Sequence, residues 1–264
     1  MTTEVHTADT AVGAGISVRV LLRCFLRCYL VGAAFNTRGM QNVGLAFAVD
    51  PGLVAIHGRG PELRKARKRH VVHYNTHPFW TPLIVGVFLA TERKIARGLF
   101  PVQVMENVRG TMVYTLSAIG DSFFGGSVLV CWSLTTACLL ALDMPRAAVG
   151  LAVCSFVGLQ IFKAATFWFG FREGFTVLRH LKRWRLIDWG QRVKMVNGAL
   201  LALLWYLVWP VRPGLVHWVA FALGMAGLAA LVRKTSVGRE VLLALVLSGY
   251  IAVPWLEDFI AWLW

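Results

Sequence analysis

Residues Thr111–Leu142 read TMVYTLSAIGDSFFGGSVLVCWSLTTACLLAL, thirty-two positions with one acid, Asp121, and no base. A bilayer crossing needs roughly 20 apolar residues, so this run is longer than one straight span. The Gly120-Asp121 pair near its middle predicts a broken helix. A carboxylate at bilayer depth costs about 2.5–3.5 kcal/mol on insertion scales, so Asp121 has to face protein or a water-filled cavity. Two roles fit it: polar lining of a substrate path, or a cap that accepts amide hydrogens from the second half-helix.

The surrounding sequence carries the same signature. Further apolar runs cover Ala147–Phe171, Met195–Pro210, Gly214–Val232 and Val241–Trp264. Hydrophobic residues make up 57% of the 264 positions and charged residues 15%, with a mean hydropathy of +0.62. A soluble domain carries about 25% charged residues, so this chain lacks the polar surface to coat itself. Disorder, a collagenous fold and a small disulfide-stapled domain are excluded by the same figures. The expected fold is all-α, a polytopic integral membrane protein.

The net charge of +14 follows from membrane topology, and no basic and aromatic platform points to nucleic acid. Segments 92–110, 172–194 and 233–240 hold four, seven and three Lys/Arg. The turns at 143–146 and 210–213 hold one each, and the end after Glu240 holds none. This alternation predicts five crossings with the C-terminus outside, and basic loops that meet the cytoplasm and the headgroups of membrane lipids. Met195–Pro210 is short for a span and needs bilayer thinning or protein burial. Trp205, Trp209, Trp255, Trp262 and Trp264 near run ends fit an aromatic belt. The first fifteen residues have two acids and no basic cluster, so no cleavable signal peptide is expected there.

Three organisational regions follow within a single membrane domain, 16–264, after a flexible tail at 1–15. In 16–70, Arg19, Arg23 and Arg27 at four-residue steps mark an amphipathic helix from Ile16 to about Phe35. A second helical piece, Thr37–Val49, is expected to stop at the turn signal Asp50-Pro51-Gly52. The basic stretch Arg59–Arg69 is placed in the cytoplasm. Region 75–142 holds the polar motifs, and 147–264 the remaining spans. Cys24 and Cys28 share a helix face; these two, Cys131, Cys138 and Cys154 read as free thiols packed among apolar side chains.

The motif His73-Tyr74-Asn75-Thr76-His77-Pro78-Phe79 stands before an apolar run, Phe79–Ala90, of only twelve residues. That length suits a re-entrant segment or a helix packed inside protein. Pro78 biases His77 away from helix and can start the helix that follows. The polar cluster beside it suits a hydroxyl-rich ligand, or simply satisfies a helix start. His73 and His77 lack a third metal ligand nearby, and no metal or cofactor is expected. Lys163 lies mid-run and is expected to snorkel or to pair with an acid, Glu173 or one on a partner subunit. His217 beside Trp218 reads as an interface residue, and Glu257-Asp258 as marking the outer interface. No nucleophile-and-base motif or phosphate-cradling glycine loop appears, so no catalysis by the chain itself is expected.

Met40-Gln41-Asn42-Val43-Gly44 with Ala46 and Phe47, then Tyr74-Asn75-Thr76-His77-Pro78-Phe79, then Ile119-Gly120-Asp121-Ser122-Phe123-Phe124, resemble in order and spacing the IID component of mannose-family sugar phosphotransferase systems. Trp168-Phe169-Gly170-Phe171-Arg172-Glu173-Gly174-Phe175 is similar to the aromatic and glycine segment that follows there. The resemblance runs from about Arg19 to the C-terminus, the last third mainly in hydropathy. It departs at Tyr114, Thr115 and Ala118, where the family carries a glycine, a proline and a glycine, and at Thr91-Glu92, where an acidic pair is common.

The resemblance implies a multi-pass subunit of the bacterial inner (plasma) membrane. It would pair with a IIC membrane subunit, in what is thought to be a trimer of IIC–IID heterodimers, to translocate a hexose. Cytoplasmic IIA and IIB phosphocarrier domains would supply the phosphate, and IID itself is not phosphorylated. On this reading Asn75, Thr76, His77 and Asp121 line the sugar path. Gln41 and Asn42 are second-rank candidates, equally explicable as helix-packing glue, and Pro78 and Gly120 supply the structural break. The alternative is a non-transporting regulatory or scaffolding paralogue that binds a IIC-like partner; the altered residues at 114–118 favour it.

Overall fold

The computed structural model describes residues 16–208 continuously and scattered positions between 214 and 249. The expectations for the tail at 1–15 and for Trp209, His217, Trp218, Trp255, Glu257, Asp258, Trp262 and Trp264 fall outside the described residues. The chain divides into two units, Met1–Val208 and Trp209–Trp264. In the second, the described positions from Val216 to Gly249 are helical.

The first unit is built of α1 (Val18–Arg27), α2 (Asn42–His57), α3 (Pro61–His70), α4 (Thr81–Ala96), α5 (Gln103–Gly120), α6 (Leu129–Ala141), α7 (Pro145–Glu173), α8 (Val177–Arg183) and α9 (Leu186–Val208). A 3₁₀ turn, Cys28–Ala34, continues α1, and a π-helical segment, Asp121–Val128, joins α5 to α6. Ser17 caps α1 by accepting the Val20 amide. Pro145 opens α7 where its missing N–H costs nothing, and Gly174, with φ +61°, closes it.

The core is centred on α4. Its residues from Thr81 to Glu92 are buried without interruption, as expected of a helix that is apolar on every side. The short apolar run is thus packed inside protein. Two glycines let α7 approach α4 closely: a Cβ on Gly86 would collide with the Phe167 carbonyl oxygen, and one on Gly170 with that of Leu83. Leu45, Leu53, Phe88, Met105 and Met112 fill the neighbouring space.

The Asp50-Pro51-Gly52 turn is not formed: α2 runs through it to His57. Proline inside a helix orphans the carbonyl four residues earlier, here that of Phe47. Arg27 supplies the missing donor, its Nη1 lying 3.0 Å from the Phe47 oxygen, with the guanidinium 4.1 Å from the Phe47 ring centroid. Gly52 is used for packing, since a side chain there would strike Leu89. A tertiary donor and a tight contact outweigh the local turn signal.

The interruption expected at Gly120 takes the form of the π segment. Gln103–Ala141 is one helical run of 39 residues, and the chain does not reverse within it. Thr115 and Ala118 both tolerate helix, and Asp121–Val128 continues it as a widened turn. This run and Pro145–Arg183 are long and apolar enough to cross a membrane, and most of the apolar stretch of each is uncovered. The fold is all-α, with apolar flanks that need lipid or a partner. Met195–Pro210 falls largely on α9, whose 23 residues extend the short run at its N-terminal side.

Candidate functional site

Two of the three sequence motifs are laced together by backbone. The Gln41 amide donates to the Tyr74 carbonyl at 2.8 Å, and the Tyr74 amide to the Gly39 carbonyl at 3.2 Å. Met40 takes φ +57°, which turns the chain so that Asn36 and Met40 exchange two backbone hydrogen bonds of 2.9 Å. Asn42 is a fastener in this arrangement. Its Oδ1 accepts from Asn36 Nδ2 at 2.9 Å and from the Val43 amide at 2.8 Å, while its Nδ2 donates to the Val71 carbonyl at 3.1 Å. Gln41 reaches further into the second motif, its Oε1 accepting from the Thr76 amide at 3.4 Å.

The third motif joins through His77. Its imidazole stacks on Phe124 with centroids 5.4 Å apart, and meets the edge of Phe79 at 4.8 Å. Gly120 makes this possible, because a Cβ there would overlap the Cβ of His77 and press on Trp80. Thr76 Oγ1 and Trp80 Nε1 are buried and have no hydrogen-bond partner among the described residues. Two such orphans four residues apart are costly unless something binds them.

The other expected residues lie at the rim. Asn75 and Asp121 are exposed, and neither makes a side-chain hydrogen bond or ion pair among the described residues. Asp121 is the first residue of the π segment, and its carboxylate accepts no amide hydrogen of the helix that follows. Beside the motif junction is a cavity of about 180 Å³ lined by Tyr29, Gln41, Pro78, Thr81 and Lys163, among others. Gln41 and Pro78 are the expected residues that reach it; Asn42, Asn75, Thr76, His77, Gly120 and Asp121 stand outside its wall. Lys163 pairs with no acid among the described residues; Glu173 instead accepts from Thr176. Among the described residues, no group of three or more His, Cys, Asp and Glu could hold a metal ion.

A second polar centre escaped the sequence reading. Glu92, fully buried at the end of α4, accepts four hydrogen bonds. His70 Nε2 (3.0 Å) and Arg69 Nε (3.1 Å) serve one oxygen, His57 Nε2 (2.9 Å) and Arg69 Nη2 (2.7 Å) the other. An ionised carboxylate only accepts, so each imidazole presents Nε2–H. Arg109 Nη2 donates to the Arg69 carbonyl, bringing α5 into a knot that already binds α2, α3 and α4. Burial alone would raise the Glu92 carboxyl, but the donors from His57, His70 and Arg69 overcome it and hold the group well below the usual carboxylate range. Burial lowers His70, against the opposing pull of Glu92. The one available signal was a lone acid directly after an apolar run and before a basic segment.

The comparisons with known proteins agree on one family. The model of the PTS system mannose/fructose/sorbose family IID component matches residues 15–200. This chain belongs to that IID family. The mannose-specific EIID component of Escherichia coli (strain K12) is 29% identical over 126 residues, 47% of this chain and 44% of that protein. The fructose permease IID component of Bacillus subtilis (strain 168) is 24% identical over 114 residues, 43% and 42% of the two chains. For the sorbose-specific EIID component of Klebsiella pneumoniae the figures are 24% over 156 residues, 59% and 56%. The matched part of this IID chain thus spans about half the length of these curated relatives. Two solved structures share its fold. A chain of the mannose transporter ManYZ in complex with microcin E492 has a TM-score of 0.51 at 18% identity, covering 91% of this chain and 97% of that one. A membrane protein has a TM-score of 0.62 at 19% identity, with 91% and 98% covered.

Proposed function

We propose that this IID chain is the membrane subunit of a sugar permease, pairing with a IIC subunit to carry a hexose across the bacterial plasma membrane. The observation that carries the reading is the convergence of the family's three motifs: Gln41 on the Thr76 amide, and His77 seated on Gly120 and Phe124. Buried donors and acceptors left open beside an apolar core, Thr76 Oγ1 and Trp80 Nε1, suit a ligand made of hydroxyls. The named relatives act on mannose, fructose and sorbose, which supports a hexose as the substrate class.

In this reading the loop at 71–80 with α4 forms the re-entrant element. Asn75 and Asp121 at the rim meet sugar hydroxyls, and Asn42 and Gly120 hold the frame. The chain crosses the membrane more than once, through the run Gln103–Ala141 and the run Pro145–Arg183. The basic helix α3 faces the cytoplasmic IIB domain, which together with IIA provides the phosphate; the permease assembles as a trimer of IIC–IID heterodimers. The chain positions sugar and forms no covalent intermediate of its own.

Phosphoenolpyruvate-dependent uptake into vesicles tests this. With the cognate IIA, IIB and IIC present, labelled hexose is expected to accumulate as its phosphate only when this chain is included. A stable complex with IIC that supports no uptake of any hexose would replace the permease reading with the scaffolding one.

A further inference from the structure

Lys163 has no acidic partner among the described residues, although it sits in the middle of the apolar helix α7. Its ammonium is drawn instead to two aromatic faces, 4.5 Å from the Tyr29 ring centroid and 5.3 Å from that of Phe79. A cation kept at this depth is normally functional or paired. Here it borders the cavity of about 180 Å³, at the place where α7 and the 3₁₀ turn after α1 meet the motif loop. Tyr29 is fixed there by donating its hydroxyl hydrogen to Gln160 Oε1 on α7.

The wall is chemically mixed. Among the described residues, none of the three Lys163 N–H donors is used in a hydrogen bond, and the side-chain Nε2 of Gln41 has no acceptor. Thr81 Oγ1 accepts from Tyr74 at 3.3 Å and keeps its own hydrogen to give. The remaining surface is flat or apolar, from Tyr29, Pro78 and Cys28. An anion would satisfy the lysine but leave the neutral donors and the aromatic faces idle. A pyranose or furanose uses all of them, with hydroxyl oxygens for the donors and a C–H face for the ring. The volume lies below the ~300–1,000 Å³ of drug-sized pockets, which matches a single monosaccharide.

We infer that Lys163, with Gln41 and Thr81, forms a hexose subsite in which the ammonium donates to one sugar hydroxyl. This rests on the permease reading and adds to it a contact that none of the three motifs contains. Lys163→Met keeps the aliphatic stem and removes the donors; Lys163→Arg keeps a charge. The assay is equilibrium binding to the purified complex with IIC, using labelled mannose, glucose and fructose and the set of monodeoxy analogues of whichever binds. Lys163→Met is expected to weaken the parent hexose about ten-fold or more, as for loss of a charged donor, and Lys163→Arg less. One monodeoxy analogue should bind the wild type correspondingly weakly, yet bind Lys163→Met as well as the parent does.

Equal binding of the parent by wild type and Lys163→Met overturns the subsite and leaves the permease standing. A loss of the same factor for the parent and every analogue also overturns it, by making Lys163 structural. A wild-type complex that binds no hexose overturns both readings together.

Discussion

Glu92 is the residue that ties α2 and α3 to α4. It is 0% exposed, and its Arg69 partner has a side-chain exposure of 15%, so replacing one charge strands the other. Glu92→Gln is expected to destabilise the fold by about 3–5 kcal/mol, read as a lowered melting temperature in detergent. The pH dependence follows from the two depressed groups. Unfolded His70 takes up a proton near pH ~6.5, whereas burial holds the folded imidazole neutral to lower pH. Stability therefore starts to fall as pH drops through that value. Glu92 adds a second loss below about pH 4.3, where the unfolded carboxyl protonates and the folded one does not. The gap between the melting temperatures of wild type and Glu92→Gln should narrow between about pH 5 and pH 3; parallel curves would remove Glu92 from the explanation. Among the motif residues, Asn42→Ala is expected to cost about 1–3 kcal/mol by unfastening Asn36 and Val71. The polar words of the motifs were legible in the sequence because polar residues stand out in an apolar chain. Which of them are fasteners was not, since Asn42 and Asn75 differ only in what the distant chain brings to them.

At the scale of elements, and among the described residues, helices were read correctly where an uninterrupted apolar run fixed them, as in α7. They were misread where a local signal competes with tertiary contact. Asp50-Pro51-Gly52 has turn composition, yet Arg27 supplies the donor that proline denies to the Phe47 carbonyl. The two features should be coupled: Arg27→Met costs stability in the wild type and less in a Pro51→Ala background, where a backbone N–H can serve Phe47. A thermal double-mutant cycle with zero coupling would contradict this repair. At Gly120 a polar pair in a long run suggested a break, but Thr115 and Ala118 permit continued helix, and the irregularity shrinks to the π segment Asp121–Val128. Gly86→Leu or Gly170→Leu is expected to separate α4 from α7, costing about 1–3 kcal/mol or more by overpacking against a carbonyl. Substitution at the open Gly150 of the same α7 should not.

At the scale of the fold, residues 16–208 join a buried frame around α4 to long apolar helices that are mostly uncovered. Composition announces the membrane. The motifs announce the IID family, and the fold adds that all three motifs meet around His77 and Gln41. The Glu92 knot and the Lys163 cavity were illegible because each gathers residues from distant positions, as in His57, Arg69, Glu92 and Arg109. Gly120 and Gly110 provide a matched pair on one helix. A methyl group at Gly120 would strike His77, while Gly110 has nothing within 4 Å of an added Cβ. The measurement is phosphoenolpyruvate-dependent hexose uptake by vesicles carrying Gly120→Ala or Gly110→Ala, each assembled with IIC to the wild-type level. Gly110→Ala should transport as the wild type does, and Gly120→Ala should lose about ten-fold or more, the size of effect a misplaced site produces. Wild-type uptake by Gly120→Ala would contradict the claim that the meeting of the motifs forms the sugar path.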